Sequence, residues 1–219
     1  MSRGAFDPHF DDLPLAIPVF PLPSVLLLPR GKLPLNIFEP RYLAMTRASL
    51  ASKDRMIGII QPTEKEEIGR SPRLYPTGCA GRITSFSETD DGRYLLSLVG
   101  ICRFDLTGEL PMVDGFRRVT VGYDRFRRDL DAEETPIERD RLLAALLPYF
   151  KSHSIAVEWE TVKTTPDERL VTTLSMICPF GSGEKQALLE SVSLSERAKL
   201  LTALLEMAIL ERSGDGARH

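Results

Sequence analysis

The residues with catalytic or metal-binding chemistry are few and far apart in this sequence. Cys79, Cys102 and Cys178 form no CxxC pair, and His153 is the only histidine outside the two termini. This spacing is typical neither of a disulfide framework nor of a zinc site, so buried apolar thiols are the preferred interpretation. A reactive Cys79 or Cys102 in an open cleft would be the sign of a small-molecule enzyme.

Two further motifs are considered and set aside. The segment from Phe180 to Lys185 contains two glycines and a lysine, but lacks the GxxxxGK[ST] spacing of a phosphate-binding loop. No GxSxG element of a serine hydrolase occurs. We therefore expect no catalytic residue, no metal and no cofactor.

Basic and aromatic residues alternate near the middle of the chain. Arg117, Arg118, Arg125, Arg127 and Arg128 are interleaved with three aromatic rings. Phosphate contact and base stacking could both use such a mixture, so an RNA-binding module is the alternative function. Acidic residues interrupt the run, and nucleic acid is not the expected partner.

Composition and charge divide the chain into two parts. The 219 residues carry 28 basic and 31 acidic side chains, for a net charge of −3, and 42% of them are hydrophobic. Residues 1–128 have a net charge of +3, and residues 129–219 have −6. We predict a β-rich part over residues 13–128 and a helical bundle over residues 129–212. The acidic segment Asp129–Glu134 is predicted to be a solvated hinge between them.

In the first part, proline and glycine residues separate short apolar runs, a pattern typical of short strands. Runs at Ala16–Phe20, Val25–Leu28, Gly31–Ile37, Met56–Ile60 and Phe116–Tyr123 predict strands, and a helix is predicted from Pro40 to about Ala51. The clearest signal is a hairpin formed by Gly78–Ser87 and Tyr94–Phe104, with Asp-Gly in its turn.

Capping signals define the helices of the second part. Thr135, Thr165 and Ser193 each precede a glutamate by three residues, which predicts helices over about 136–152, 166–178, 183–191 and 194–212. Pro148 is predicted to kink or end the first of these.

The most distinctive segment extends from Leu13 to Leu43 and resembles the N-terminal domain of the ATP-dependent Lon protease. The matching motifs are IPVFPLPSVLLLP at Ile17–Pro29, LPLNIFEPRY at Leu33–Tyr42 and GCAGRI…DDGRYLLSLVGICRF at Gly78–Phe104. The run from Met176 to Ile209 also resembles the helical portion of that family. The resemblance implies an α+β fold, with a PUA-like pseudo-β-barrel and one helix followed by a C-terminal helical bundle.

The resemblance also implies recognition without hydrolysis, because the ATPase and Ser–Lys peptidase motifs are not found. We expect a cytoplasmic module, without a membrane segment, that binds unfolded or client polypeptides on an apolar surface between barrel and helices. An ATP-dependent protease is a further expected partner. The candidate contact residues are Phe20, Leu22, Phe38, Glu39, Arg41 and Tyr42, all of which could instead belong to the core.

Overall fold

The computed structural model describes residues 8–63, 71–131, 136–153, 155 and 157–215. The strands are β1 (Ala16–Pro21), β2 (Lys32–Ile37), β3 (Met56–Pro62), β4 (Leu74–Glu88), β5 (Tyr94–Val113) and β6 (Phe116–Gly122). The α-helices are α1 (Pro40–Ala51), α2 (Arg139–Ser152), α3 (Trp159–Thr164), α4 (Asp167–Ile177), α5 (Ser182–Glu190) and α6 (Leu194–Asp215). A 3-10 helix, Asp124–Leu130, joins the two parts.

Five strands close into a barrel. The strand order is β2-β5-β4-β3-β1-β6, and an additional pairing between β5 and β6 closes the ring. Among the six described strands, β1 and β3 form the one parallel pair. Strand β2 pairs with the first half of β5 and lies outside the ring. The predicted α+β class, with a barrel followed by helices, is confirmed.

The predicted hairpin and the predicted helix α1 are both present. Residue Thr77 pairs with Asp105 at one end of the hairpin, and Glu88 pairs with Tyr94 beside the turn. Gly92 has a φ of +78°, which explains the preference for glycine there. Strand β5 is longer than predicted because its second half pairs with β6.

The run Val25–Leu28 is not a strand, and that prediction was wrong. It forms an irregular segment in which Leu26, Leu27 and Leu28 are buried in the core. Prolines on both sides interrupt the ladder, so the apolar content of this run reflects burial of the side chains and not strand pairing.

The capping predictions have mixed outcomes. The Ser193 hydroxyl accepts the N–H of Glu196 at 3.2 Å and caps α6 as predicted. The Thr165 hydroxyl instead donates to the Thr161 carbonyl at 2.7 Å, because the unpredicted helix α3 ends there. Thr135 lies outside the described residues, and α2 continues through Pro148 to Ser152.

The larger hydrophobic cluster contains side chains from both parts of the chain. Leu98 of β5, Leu142 of α2 and Leu201 of α6 all belong to it and are completely buried. A second cluster fills the barrel around Phe104. The division at residues 128 and 129 stays a prediction. None of the helices in the described part of the chain is long and apolar enough to cross a membrane.

The prediction that the segment beginning at Asp129 is solvated is wrong for Asp129 itself, which forms a buried ion pair. Both carboxylate oxygens of Asp129 accept hydrogen bonds from Arg103, the shortest being 2.7 Å from Nη2 to Oδ1. The other guanidinium nitrogen of Arg103 donates to the carbonyls of Leu189 and Ser191 at 2.8 and 2.6 Å. Residues 132–135 of the predicted hinge lie outside the described residues.

We expect Arg103→Met to lower the free energy of unfolding by about 3 kcal/mol or more, because it leaves a buried carboxylate and two carbonyls without their donor. Chemical denaturation followed by circular dichroism would measure the loss. Arg141→Met is the matched control, since Arg141 pairs with Glu206 on the exposed surface. Its denaturation midpoint should be nearly unchanged. Equal effects of the two substitutions would contradict the role assigned to Arg103.

Candidate functional site

Two of the predicted contact residues lie in the core. Phe20 of β1 and Tyr42 of α1 are each only 7% exposed. Their ring centroids are 4.1 Å apart, so they pack α1 against the barrel. The structure therefore favours a packing role for these two side chains.

The other predicted contact residues lie nearer the surface. Phe38 is 61% exposed, and the Arg93 guanidinium lies 5.8 Å from the centre of its ring. Arg41 donates from Nε to Glu39 Oε2 at 3.0 Å and covers the Tyr42 ring. Leu22 is half-buried against the larger cluster. A contact of Phe38, Glu39, Arg41 or Leu22 with a ligand stays a prediction.

Several arginines of the basic segment have intramolecular partners. Arg117 donates to Glu109 at 2.5 Å, and Arg125 forms an ion pair with Asp105 at 3.1 Å. Arg127 lies over a phenylalanine ring at 4.2 Å. These contacts use charges that RNA binding would need, and the rings of Phe116, Tyr123 and Phe126 are buried, so the structure disfavours the RNA-binding alternative.

The three cysteines are buried and form no disulfide bond. Cys79 and Cys102 are completely buried, and burial raises the pKa of both thiols. Burial also raises the pKa of Cys178, to about 11. Neither Cys79 nor Cys102 is therefore the reactive cysteine in an open cleft that would indicate a small-molecule enzyme. The described residues include no group of metal-ligating side chains.

We expect all three thiols to resist a disulfide reagent in the native protein at pH 8, because burial keeps them protonated and inaccessible. The measurement is the release of the coloured thiolate from Ellman's reagent, with and without 6 M guanidinium chloride. Rapid reaction of a single thiol without denaturant would reveal an accessible cysteine and contradict this assignment.

A groove in the described structure lies between β2 and α4. It has a volume of about 440 Å³ and is partly open to solvent. Its lining residues come from the segment before β2, from the start of β2 and from one face of α4: Arg30, Gly31, Lys32, Glu168, Arg169, Thr172, Thr173, Met176 and Ile177. This β2–α4 groove lies where the barrel meets the helices.

Strand β2 forms one wall of the groove and has an unpaired outer edge among the described strands. The Gly100 amide donates to the Gly31 carbonyl at 2.9 Å, so Gly31 faces β5. The alternation of an antiparallel ladder then directs the backbone groups of Lys32, Pro34 and Asn36 outward. Pro34 has no N–H, and the outer edge therefore lacks its central donor.

An ion pair joins the two walls at one end of the groove. Arg30 has a φ of +61°, which is uncommon for a residue with a side chain. Its Nη1 donates to Glu168 Oε1 at 2.6 Å, and its Nη2 donates to the Asp131 carbonyl. The Arg30 backbone is held by its N–H, which donates to Gly100 at 2.8 Å. These contacts fix α4 relative to β2.

Apolar side chains line the other end of the groove. Met176 is half-buried against Gly31, whereas Ile177 is 65% exposed. The buried Lys185 of α5 donates from Nζ to the Met176 carbonyl at 2.9 Å and so fixes the end of α4. Burial lowers the pKa of Lys185. The groove thus offers a fixed apolar surface beside charged groups.

The sequence did not predict the α4 side of this groove. Ile177 follows Leu170 by seven residues, so helical periodicity predicts that it faces the core. Helix α4 ends at Ile177, and the periodic argument fails at that point. An apolar residue directly before a helix-ending Cys-Pro pair was the only available signal.

We expect Gly31→Ala to lower the free energy of unfolding by about 1 to 3 kcal/mol, because a Cβ would overlap Met176 Sδ and lie 2.9 Å from the Leu28 carbonyl oxygen. Thermal or chemical denaturation would measure the change. Gly183→Ala is the control, since a Cβ there meets nothing within 4 Å. A Gly31→Ala protein as stable as the control would show that α4 is not in close contact with β2.

Comparison with known protein families identifies the family of this chain's matched region. The model of the ATP-dependent protease La (LON) substrate-binding domain matches residues 16–207. Lon protease 2 of Myxococcus xanthus is 26% identical over 200 residues, and Lon protease of Parabacteroides distasonis is 29% identical over 206 residues. These alignments cover 89% and 86% of this chain, but only 24% and 23% of the relatives. The chain thus spans about a quarter of the length of these proteins.

Two solved structures share the fold. The N-terminal domain of the Mycobacterium avium complex Lon protease superposes with a TM-score of 0.62 at 18% identity, covering 87% of this chain and 98% of that domain. The Lon N-terminal domain protein from Xanthomonas campestris has a TM-score of 0.60 at 23% identity, with coverages of 86% and 97%. Both support the barrel-and-helices architecture.

Proposed function

Because the chain belongs to the family of ATP-dependent protease La (Lon) substrate-binding domains, we propose that it recognises exposed apolar segments of client polypeptides. The family is a substrate-binding and not a catalytic domain. Binding without hydrolysis is the activity that this membership and the β2–α4 groove support best.

The observation that carries this proposal is the exposed apolar end of the groove. Ile177 is 65% exposed beside Met176, although the surrounding elements are fixed by buried contacts. A volume of about 440 Å³ lies within the range of about 300 to 1,000 Å³ that is usual for ligand clefts. Covering this surface with an apolar client side chain would remove it from water, which favours association.

The client segment binds mainly through its side chains. Adding a full strand to β2 would need a regular row of backbone donors, and Pro34 interrupts that row. From Lys32 to Phe38 an extended strand covers about 20 Å. An extended client segment of about six residues would therefore reach from the groove to the exposed ring of Phe38. This arrangement gives Phe38 the contact role predicted for it, with Glu39 and Arg41 beside it.

The partners of the proposed module are unfolded or client polypeptides. Delivery of these clients to an ATP-dependent protease is the second part of the proposal, supported by the Lon proteases among the relatives. A location in the cytoplasm and the absence of enzymatic activity stay predictions.

We expect Ile177→Ser to weaken the binding of an apolar peptide about tenfold, because it removes roughly 1 to 2 kcal/mol of apolar burial from the interface. The probe is a fluorescein-labelled ten-residue peptide with a central Leu-Ile-Val-Leu segment between glutamines, and fluorescence anisotropy measures its dissociation constant. Val192→Ser is the matched control, since Val192 is 74% exposed and does not line the groove.

The control should retain the dissociation constant of the unchanged protein. Equal weakening by both substitutions would place binding elsewhere on the surface. An affinity weaker than about 1 mM for the unchanged protein, roughly −4 kcal/mol, would contradict the proposed function itself.

A further inference from the structure

The β2–α4 groove carries an excess of positive charge. Among the described residues that line it are the cations Arg30, Lys32 and Arg169, and Glu168 is the only carboxylate of that set. Glu168 already accepts a hydrogen bond from Arg30 at 2.6 Å, so this pair is neutral as a unit. The remaining charge of the groove comes from Lys32 and Arg169.

Lys32 and Arg169 are both exposed on opposite walls of the groove. Lys32 begins β2, and Arg169 lies in the first half of α4. Neither side chain has an ion-pair partner among residues 8–63, 71–131, 136–153, 155 and 157–215. The Lys32 ammonium group and the Arg169 guanidinium group are therefore available to an anion in the groove.

The positive charge of Lys32 and Arg169 is a local feature, because the helical part of the chain is acidic overall. Residues 129–219 have a net charge of −6. Screening in physiological salt limits the reach of exposed charges to about 8 Å. A bound segment is therefore affected mainly by Lys32 and Arg169, which line the same groove as the apolar side chains of Met176 and Ile177.

We propose that the β2–α4 groove selects apolar segments flanked by acidic side chains over the same segments flanked by basic ones, an inference that rests on the proposed function. An apolar side chain of the client covers Met176 and Ile177. The aspartate or glutamate beside it pairs with Lys32 or Arg169. A lysine at that position would meet two uncompensated cations.

Three labelled peptides test the selection. They share the central Leu-Ile-Val-Leu segment and differ only in the two residues that flank it, which are aspartate, glutamine or lysine. We expect the aspartate peptide to bind at least about fivefold more tightly than the lysine peptide in 50 mM salt, with the glutamine peptide between them. The difference should shrink in 500 mM salt.

The outcomes separate this inference from the proposed function. Equal affinities for the three peptides would overturn the charge selection and leave apolar recognition intact. Tighter binding of the lysine peptide would also overturn it. Failure of all three to bind would overturn both.

A charge reversal localises the selection to the groove. Arg169→Glu should remove or invert the preference for aspartate over lysine, and Arg47→Glu should preserve it. Arg47 is exposed on α1 and does not line the groove, so both variants change the net charge equally. Circular dichroism spectra confirm that both variants are folded. An unchanged preference in Arg169→Glu would overturn the assignment to this groove.

Discussion

The structure depends on one buried guanidinium. Arg103 projects from β5, pairs with Asp129 of the 3-10 helix and donates to two carbonyls at the end of α5. The guanidinium carbon of Arg103 lies 4.4 Å from the centre of the Phe126 ring. Removing a charge from water is costly, and only this complete set of partners offsets the cost. The geometry is therefore demanding: the barrel, the connecting segment and the helices must all be in place together. That requirement fixes the relative position of the two parts of the chain.

The groove is a consequence of this fixed arrangement. Helix α5 is held by Arg103 at its C-terminal end, and its Lys185 holds the last turn of α4 through the Met176 carbonyl. At the other end of α4, Arg30 connects Glu168 to the segment before β2. Helix α4 is thus fixed at both ends while the surface between them stays open. A rigid groove of this kind loses little conformational entropy when a segment binds, which favours recognition by a small contact area.

Local sequence patterns predicted the elements better than the contacts between them. The hairpin turn at Gly92 and the cap at Ser193 depend on neighbouring residues, and both are present. Asp129 was interpreted as solvated because it begins an acidic run, yet its partner Arg103 is 26 residues away. The exposure of Ile177 likewise depends on where α4 ends, which periodicity does not specify. Long-range pairing and helix termination thus account for what the sequence did not reveal about the candidate site.

The same charges that favour an acidic client also oppose self-association through the groove. Exposed apolar surface ordinarily favours contact between copies of a protein. In a twofold contact across the β2–α4 groove, Lys32 and Arg169 of both copies would lie in one interface, and the four cations would repel one another. The carboxylate in the groove lining, Glu168, is already paired with Arg30. An acidic segment of another chain brings the missing negative charge. The groove can therefore keep Ile177 exposed for a client without presenting it equally to a second copy.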